Sequence, residues 1–317
     1  SRKPVVVWNL IRRCNLHCIH CYSNSQDHDY SGEFSPAEAE AFIDSLARYE
    51  VPVLLFSGGE PLLRPDLPHL IHYASSRGIR AVVSTNGTLI TPDMAVQLRD
   101  AGVSYVGVSV DGLEPVNDRF RGKSGAFKEA LAGIKNCRTA GVRVGLRFTI
   151  TKHNYQQVGS IFDLLVERDI PRCCFYHLVY AGRGSKLVAE DLSHQETRDV
   201  VDLIFRRTEE LYQRDQTKEV LTVDNHADGV YLYLKLKQEH PDRAAEVLRL
   251  LKWNGGNRSG LGIADVDNQG NVHADQFWRH YSFGNIRERR FRDIWEDTSD
   301  PVMAGLKDKK ARVKGRC

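Results

Sequence analysis

The sequence predicts an α/β protein built on a parallel sheet. Two observations carry this. Strand-like apolar runs alternate with amphipathic helical stretches six times between residue 5 and about residue 180, the pattern of strand–helix units that pair in parallel through helical crossovers. The chemically distinctive residues fall just after the strand-like runs, which is where parallel α/β proteins gather their function. Alternation alone leaves three architectures open: a full barrel, a partial barrel and an open doubly wound sheet.

The elements follow in order. VVVWNL (5–10) is a β-rich run that leads into a cysteine-bearing loop. SPAEAEAFIDSLARY opens with Ser35 as N-cap, Pro36 at the first helical position and Glu38 closing a capping box. Ala39, Phe42, Ile43, Leu46 and Ala47 then keep helical spacing. VPVLLFSGGEP reads as a buried strand ending in glycines. A helix near 66–77, the strand IRAVVSTNG, a helix near 92–101, the strand SYVGVSVDG, a helix near 126–140, the strand VRVGLRFTI, a helix near 157–168 and the strand CCFYHLV complete the series. After about residue 185 the pattern changes to helices near 193–216 and 226–251, the Gly/Asn-rich WNGGNRSG, a hairpin-like GIADVDNQGNVHA and a basic tail. This predicts a first domain over 1–185 and a C-terminal α+β extension over 186–317.

Composition narrows the function. With 41% hydrophobic and 27% charged residues the chain is globular, and a net charge of +3 gives no strong pull toward nucleic acid or a membrane surface. No run reaches the roughly 18 apolar residues of a membrane span, and no secretory signal is visible, so a cytoplasmic location is expected. Three of the seven cysteines crowd the stretch CNLHCIHCYS as Cys14, Cys18 and Cys21. An odd count in a chain this long reads as metal ligation in a reducing compartment rather than as a disulfide framework. Structural zinc sites take four protein ligands, so a zinc reading needs His17 or His20 as the fourth. A 4Fe–4S cluster held by three thiolates instead keeps one iron open for a ligand. SGGE (57–60), STNG (84–87) and SVDG (109–112) then stand at successive strand ends. Each alone reads as a turn; their order argues for one site.

The run CNLHCIHCY, with aromatic Tyr22 after the third cysteine, followed in order by SGGEP, STNGT and SVDG, resembles the radical S-adenosylmethionine (SAM) family. The resemblance implies a partial (β/α)6 barrel and a 4Fe–4S cluster on Cys14, Cys18 and Cys21. It also implies SAM bound through its amino and carboxylate groups to the open iron, and cleavage to a 5′-deoxyadenosyl radical that removes hydrogen from substrate. Tyr22, Ser57, Gly58, Gly59, Glu60, Asn86, Ser109, Asp111 and Arg147 are then the expected cofactor-binding residues. Glycines admit close backbone approach, Glu60 suits an ammonium group, the hydroxyl, amide and carboxylate groups suit a ribose or a carboxylate, and Arg147 suits the SAM carboxylate.

Longer stretches, among them HLVYAGRG, DNHADGVY, GGNRSG and GNVHADQFWRHYSFGNIRER, are similar to the branch of NirJ-type enzymes of haem d1 biosynthesis and of the related AhbC-type deacetylases. This implies 12,18-didecarboxysirohaem as substrate, with removal of two propionate chains expected first and acetate removal as the alternative. It also implies an electron donor such as flavodoxin or ferredoxin. For a macrocycle bearing carboxylates, Arg121, Arg183 and Arg258, with His177, His226 and His273, are the substrate-side candidates. Against each stands the plain reading of a solvated arginine or a structural histidine. Phe277 and Trp278 offer stacking surfaces or core packing. The branch also carries a second 4Fe–4S cluster in a cysteine-rich segment that would begin at KGRC, with Cys317 as its first ligand, so the second cluster is expected only in a longer chain. Cys173 and Cys174, adjacent on a strand, point to opposite faces and read as packing residues. A radical SAM peptide maturase remains a rival, although no N-terminal peptide-binding domain precedes the first strand here. A non-catalytic iron–sulfur or zinc module is the rival from another class, and it predicts that SAM does not bind.

Overall fold

The computed structural model describes residues 3–312 and 314. Nine strands form one sheet: β1 (Val5–Ile11), β2 (Val53–Gly58), β3 (Arg80–Thr85), β4 (Tyr105–Ser109), β5 (Val144–Ile150), β6 (Arg172–His177), β7 (Glu219–Val223), β8 (Ile263–Val266) and β9 (Val272–His273). Their order is β7-β6-β5-β4-β3-β2-β1-β8-β9, and every pair is parallel except β8–β9. The helices are α1 (Pro36–Arg48), α2 (Leu67–Ser75), α3 (Pro92–Asp100), α4 (Glu114–Arg121), α5 (Ala126–Thr139), α6 (Val158–Glu167), α7 (His194–Gln213), α8 (Ala227–Glu239), α9 (Pro241–Asn254), α10 (Phe291–Trp295), α11 (Pro301–Lys307) and α12 (Lys309–Arg312).

The expected alternation is the architecture. The interior strands bury near-continuous apolar runs, as parallel strands covered on their faces must; Val106, Gly107 and Val108 of β4 are all buried. The capping box of α1 forms as the motif requires: Ser35 Oγ accepts from Glu38 N at 3.3 Å, and Glu38 Oε2 accepts from Ser35 N at 2.8 Å. Its apolar stripe of Ala39, Phe42, Ile43 and Leu46 is buried. Trp8 of β1 anchors the core there, edge-on to Phe42 at 5.1 Å and to Phe34 at 5.6 Å. Toward the other edge of the sheet Phe175 of β6 stacks on Phe162 of α6 at 5.4 Å.

Three features depart from the expected elements. Helix α4 precedes α5 in a stretch for which the sequence pattern named no element. The helix expected over 226–251 is two helices, because Pro241 has no N–H and forces His240 out of the helical region, at φ −144° and ψ 74°. The residues after 186 add strands to both edges of the sheet rather than only packing on it: β7 pairs with β6, and β8 pairs in parallel with β1, Val6 opposite Ala264 and Trp8 opposite Val266. The tail is further tied down by Arg287, which donates to Glu38 Oε1 at 2.8 Å and to the Gly32 carbonyl at 3.0 Å.

Candidate functional site

All the parallel strands end on one side, and there a cleft opens to solvent, about 1040 Å³ with the open solvent at its mouth included. Its first wall is the loop after β1. The loop is held by main chain: His17 N donates to Arg121 O and Ile19 N to Phe120 O, which docks it on the end of α4. Gly122 ends α4 in the left-handed region at φ 69°, and a Cβ there would meet the His17 carbonyl at 2.7 Å, so glycine is what allows the docking. Arg183 clasps the loop from the far side. Its Nε donates to the Cys18 carbonyl at 2.7 Å, its Nη1 to the Ser25 carbonyl at 2.8 Å, and its own N–H to the Cys21 carbonyl at 2.9 Å.

Cys14, Cys18 and Cys21 all line the cleft, and each sulfur has a different polar neighbour. Asn86 Nδ2 lies 3.9 Å from Cys14 Sγ, Arg121 Nη1 3.5 Å from Cys18 Sγ, and Ser23 Oγ 3.3 Å from Cys21 Sγ. Burial, aided by the charge of Glu60, pushes the Cys14 thiol up to about 12. Burial also raises Cys18, against the pull of Arg121, whereas at Cys21 burial is outweighed by the bonds from Ser23 and Ser25 and the thiol falls. Among the described residues no three His, Cys, Asp or Glu side chains gather closely enough to hold one metal ion. Three thiolates on one loop bordering the cleft suit a cluster, in which each takes its own iron. His17 is exposed on the outside of the loop. Around the loop Arg121 Nε and Arg183 Nη2 are buried without acceptors; buried donors demand partners, and the sulfides of a cluster would supply them.

The opposite wall is built from the strand ends. Ser57 and Gly58 end β2 and Gly59 follows it, Ser84 and Thr85 end β3, Ser109 ends β4, and Arg147 and Thr149 come from β5. Gly58 and Gly59 serve a backbone contact besides lining the cleft. A Cβ on either would lie 2.1 Å from a carbonyl of the β1 exit, Ile11 O or Arg13 O, so the glycines let the β2 turn lie against the cysteine loop. Arg147 reaches across β4 to donate to Ser84 Oγ at 2.5 Å. It passes over Gly107, where a Cβ would come 2.8 Å from Arg147 Cδ. Its guanidinium lies 4.7 Å from the Tyr176 ring centre. Tyr22 donates to Asn9 Oδ1 at 2.9 Å and sits 3.3 Å from Ser57 Oγ, while Asn9 Nδ2 donates to the buried Asp265 at 2.7 Å.

The expected site residues divide by position. Tyr22, Ser57, Gly58, Gly59, Asn86, Ser109, Arg147, Arg121 and His177 line the cleft with the three cysteines. Glu60 and Asp111 do not; both are fully buried behind it. Glu60 Oε1 accepts from Thr85 Oγ1 and Leu62 N, and its Oε2 from Asn86 N, so it braces the β3 turn, and burial pushes its carboxyl up to about 7. Asp111 accepts from Thr149 N at 2.7 Å and forms an ion pair with Arg121. Arg121, expected on the substrate side, therefore bridges Asp111 to Cys18. Arg183 serves the cysteine loop. His273 is buried between the Tyr281 carbonyl at 2.7 Å and Asp267 at 3.4 Å. His226 and Arg258 are exposed and outside the lining, and Cys317 lies outside the described residues. Tyr176, Asp224 and Gln276 line the cleft without having been expected. Asp224 sits at a left-handed φ of 68°, which Asp tolerates better than most residues, and no local sequence pattern singled it out.

Residues 8–179 match the family model described as Radical SAM superfamily. The chain is 59% identical over 314 residues to the Fe-coproporphyrin III synthase of Methanosarcina barkeri, covering 99% of this chain and 79% of that protein. It is 42% identical over 320 residues to the pre-heme d1 synthase of Dinoroseobacter shibae, covering 99% of this chain and 78% of that protein. Among solved structures, Streptococcus suis SuiB bound to its precursor peptide SuiA superposes with a TM-score of 0.76, covering 96% of this chain and 67% of SuiB. At 18% identity that likeness is one of fold.

Proposed function

The chain belongs to the radical SAM superfamily, and from that premise we propose that it is the enzyme that removes acetate side chains from an iron tetrapyrrole, 12,18-didecarboxysirohaem, to leave an iron coproporphyrin. The observation that carries this is the 59% identity, over almost the whole chain, to a protein named for making Fe-coproporphyrin III. Coproporphyrin keeps propionate and methyl substituents and no acetate, so a product of that kind requires acetate loss. This puts acetate removal ahead of propionate removal, the reverse of the order expected from the motifs. The 42% relative named for pre-heme d1 keeps the propionate reading as the second one.

As a family member the protein is a SAM-dependent iron–sulfur enzyme. We assign the 4Fe–4S cluster to Cys14, Cys18 and Cys21, and SAM to the facing wall of Ser57, Gly58, Gly59, Ser109 and Arg147. The cluster supplies, when bound, the electron that splits SAM and so generates the hydrogen-abstracting radical. The protein's own part is positioning, since radical chemistry selects among neighbouring carbons by placement. Arg121 balances thiolate charge at Cys18, Asn86 fixes the Cys14 corner, and Arg147, held by Ser84, offers its guanidinium to a carboxylate.

The test is anaerobic reconstitution, then incubation with SAM, a strong reductant and 12,18-didecarboxysirohaem, read by mass spectrometry. Loss of two acetate groups with 5′-deoxyadenosine formation is expected. Loss of the propionates would move the protein to the pre-heme d1 reaction, and 5′-deoxyadenosine with an unchanged macrocycle would discard the substrate.

A further inference from the structure

His177 is the last residue of β6 and lines the cleft. Its Nε2 lies 2.8 Å from Oδ2 of Asp228, a residue of the first turn of α8 that is only 4% exposed. A buried carboxylate must be compensated, and among the described residues this imidazole is the side chain that hydrogen-bonds and ion-pairs with Asp228. Nδ1 of His177 makes no hydrogen bond to the described protein, and it is not among the buried, unpartnered atoms. One ring nitrogen is therefore committed to a carboxylate while the other is left free on a cleft-lining side chain. That is the outer-shell arrangement of metal-ligating histidines, in which the carboxylate fixes the ring and raises the basicity of the free nitrogen. The other candidate histidines lack it. His273 has both nitrogens engaged, and His226 is exposed away from the cleft.

Resting on the iron-tetrapyrrole reading above, we propose that His177, oriented by Asp228, is the axial ligand to the iron of the bound macrocycle. Such a bond anchors a flat, nearly symmetric substrate at its centre. The periphery is then placed by the height and tilt of one side chain. Phe277 and Tyr176 line the same cleft and suit an apolar face.

The test uses the cluster-loaded full chain and iron coproporphyrin III as probe, without turnover. Magnetic circular dichroism and resonance Raman spectra are recorded for wild type, H177A and D228N, each checked for native circular dichroism. The expected result is a histidine-ligated iron in wild type, lost in H177A and restored by millimolar imidazole. D228N should keep the ligation but bind about 10–100-fold more weakly. If H177A keeps the wild-type iron spectrum, or if imidazole fails to restore it in a folded H177A that still binds the probe, the ligand assignment is wrong while the substrate reading stands. If wild type binds neither iron coproporphyrin III nor didecarboxysirohaem, the substrate reading falls and this assignment with it.

Discussion

At the scale of single residues, charge placement around the cysteine loop is what the chain controls most directly. Among the described residues the Cys18 sulfur has one cationic hydrogen-bond partner, Arg121, which is itself held by the fully buried Asp111. Removing that cation disfavours the extra negative charge of a reduced cluster. R121Q is therefore expected to lower the cluster's reduction potential by on the order of 60 mV, about tenfold in the equilibrium for one electron. D111N is expected to raise it. An anaerobic redox titration followed by electron paramagnetic resonance checks both signs, and equal potentials in all three proteins would remove Arg121 from this role. The thiols themselves are more demanding. C14A, C18A or C21A should each lose cluster iron and drop 5′-deoxyadenosine formation at least about 100-fold. Activity surviving C18A would overturn the ligand assignment.

At the scale of elements, close backbone packing brings the strand ends to one place. Helix α5 lies so near the β3 turn that a Cβ on Gly133 would come 2.3 Å from the Gly87 carbonyl. G133A must push α5 or the turn aside, and overpacking of this kind costs about 1–3 kcal/mol. G159A provides the contrast. That glycine lies in α6 with nothing within 4 Å of the added methyl, and helix propensity alone should stabilise the protein by about 0.5–1 kcal/mol. Denaturant unfolding of both variants checks the pair, and destabilisation by G159A would show that the open space is not free. The STNG turn thus carries two loads: Asn86 faces the cysteine loop, and Gly87 admits the helix behind it.

At the scale of the whole molecule, stability should depend on pH through the carboxylates and the histidine that tie the C-terminal strands to β1. Burial pushes Asp265 of β8 from 3.8 up to about 7, so the folded state binds a proton that the unfolded chain has released, and stability falls as pH rises from about 4 to 7. His273 is raised by its bonds to Asp267 and the Tyr281 carbonyl, against burial, so its contribution is present below about 6.5 and is lost as pH rises above its ordinary range. Asp267 is lowered from 3.8 to about 2 by hydrogen bonds from His273 and Asn271 that outweigh its burial, and its contribution is lost as pH falls below about 4. The sum predicts maximal stability on the acid side of neutrality. Denaturation of the cluster-loaded protein should show a higher midpoint at pH 5.5 than at pH 7.5, and D265N should flatten that difference. An unchanged slope in D265N would remove the buried carboxylate as its cause.

The sequence by itself determined the α/β class, the alternation of six strands and their helices, and the arrival of CNLHCIHCY, SGGE, STNG and SVDG at successive strand ends. These rest on local patterns: apolar periodicity, a capping box at Ser35, Pro at helix starts, and the rule that parallel strands point their ends the same way. Only the tertiary structure decided what each polar side chain faces. Glu60 and Asp111 stand in motifs that border the cleft, yet both turn inward to brace turns and an arginine. Arg183 and Arg121 turn to the cysteine loop, and His273 to Asp267. Residues 219–223, expected as the break between two helices, became an edge strand because β6 offered an unpaired edge, and β8 found β1 across more than 250 residues of chain. Burial and long-range pairing of this kind are set by neighbours distant in sequence, and no local pattern encodes them. Among the three candidate histidines, the one that pairs with a buried carboxylate and keeps its other nitrogen free became visible only when β6 and α8 were seen together.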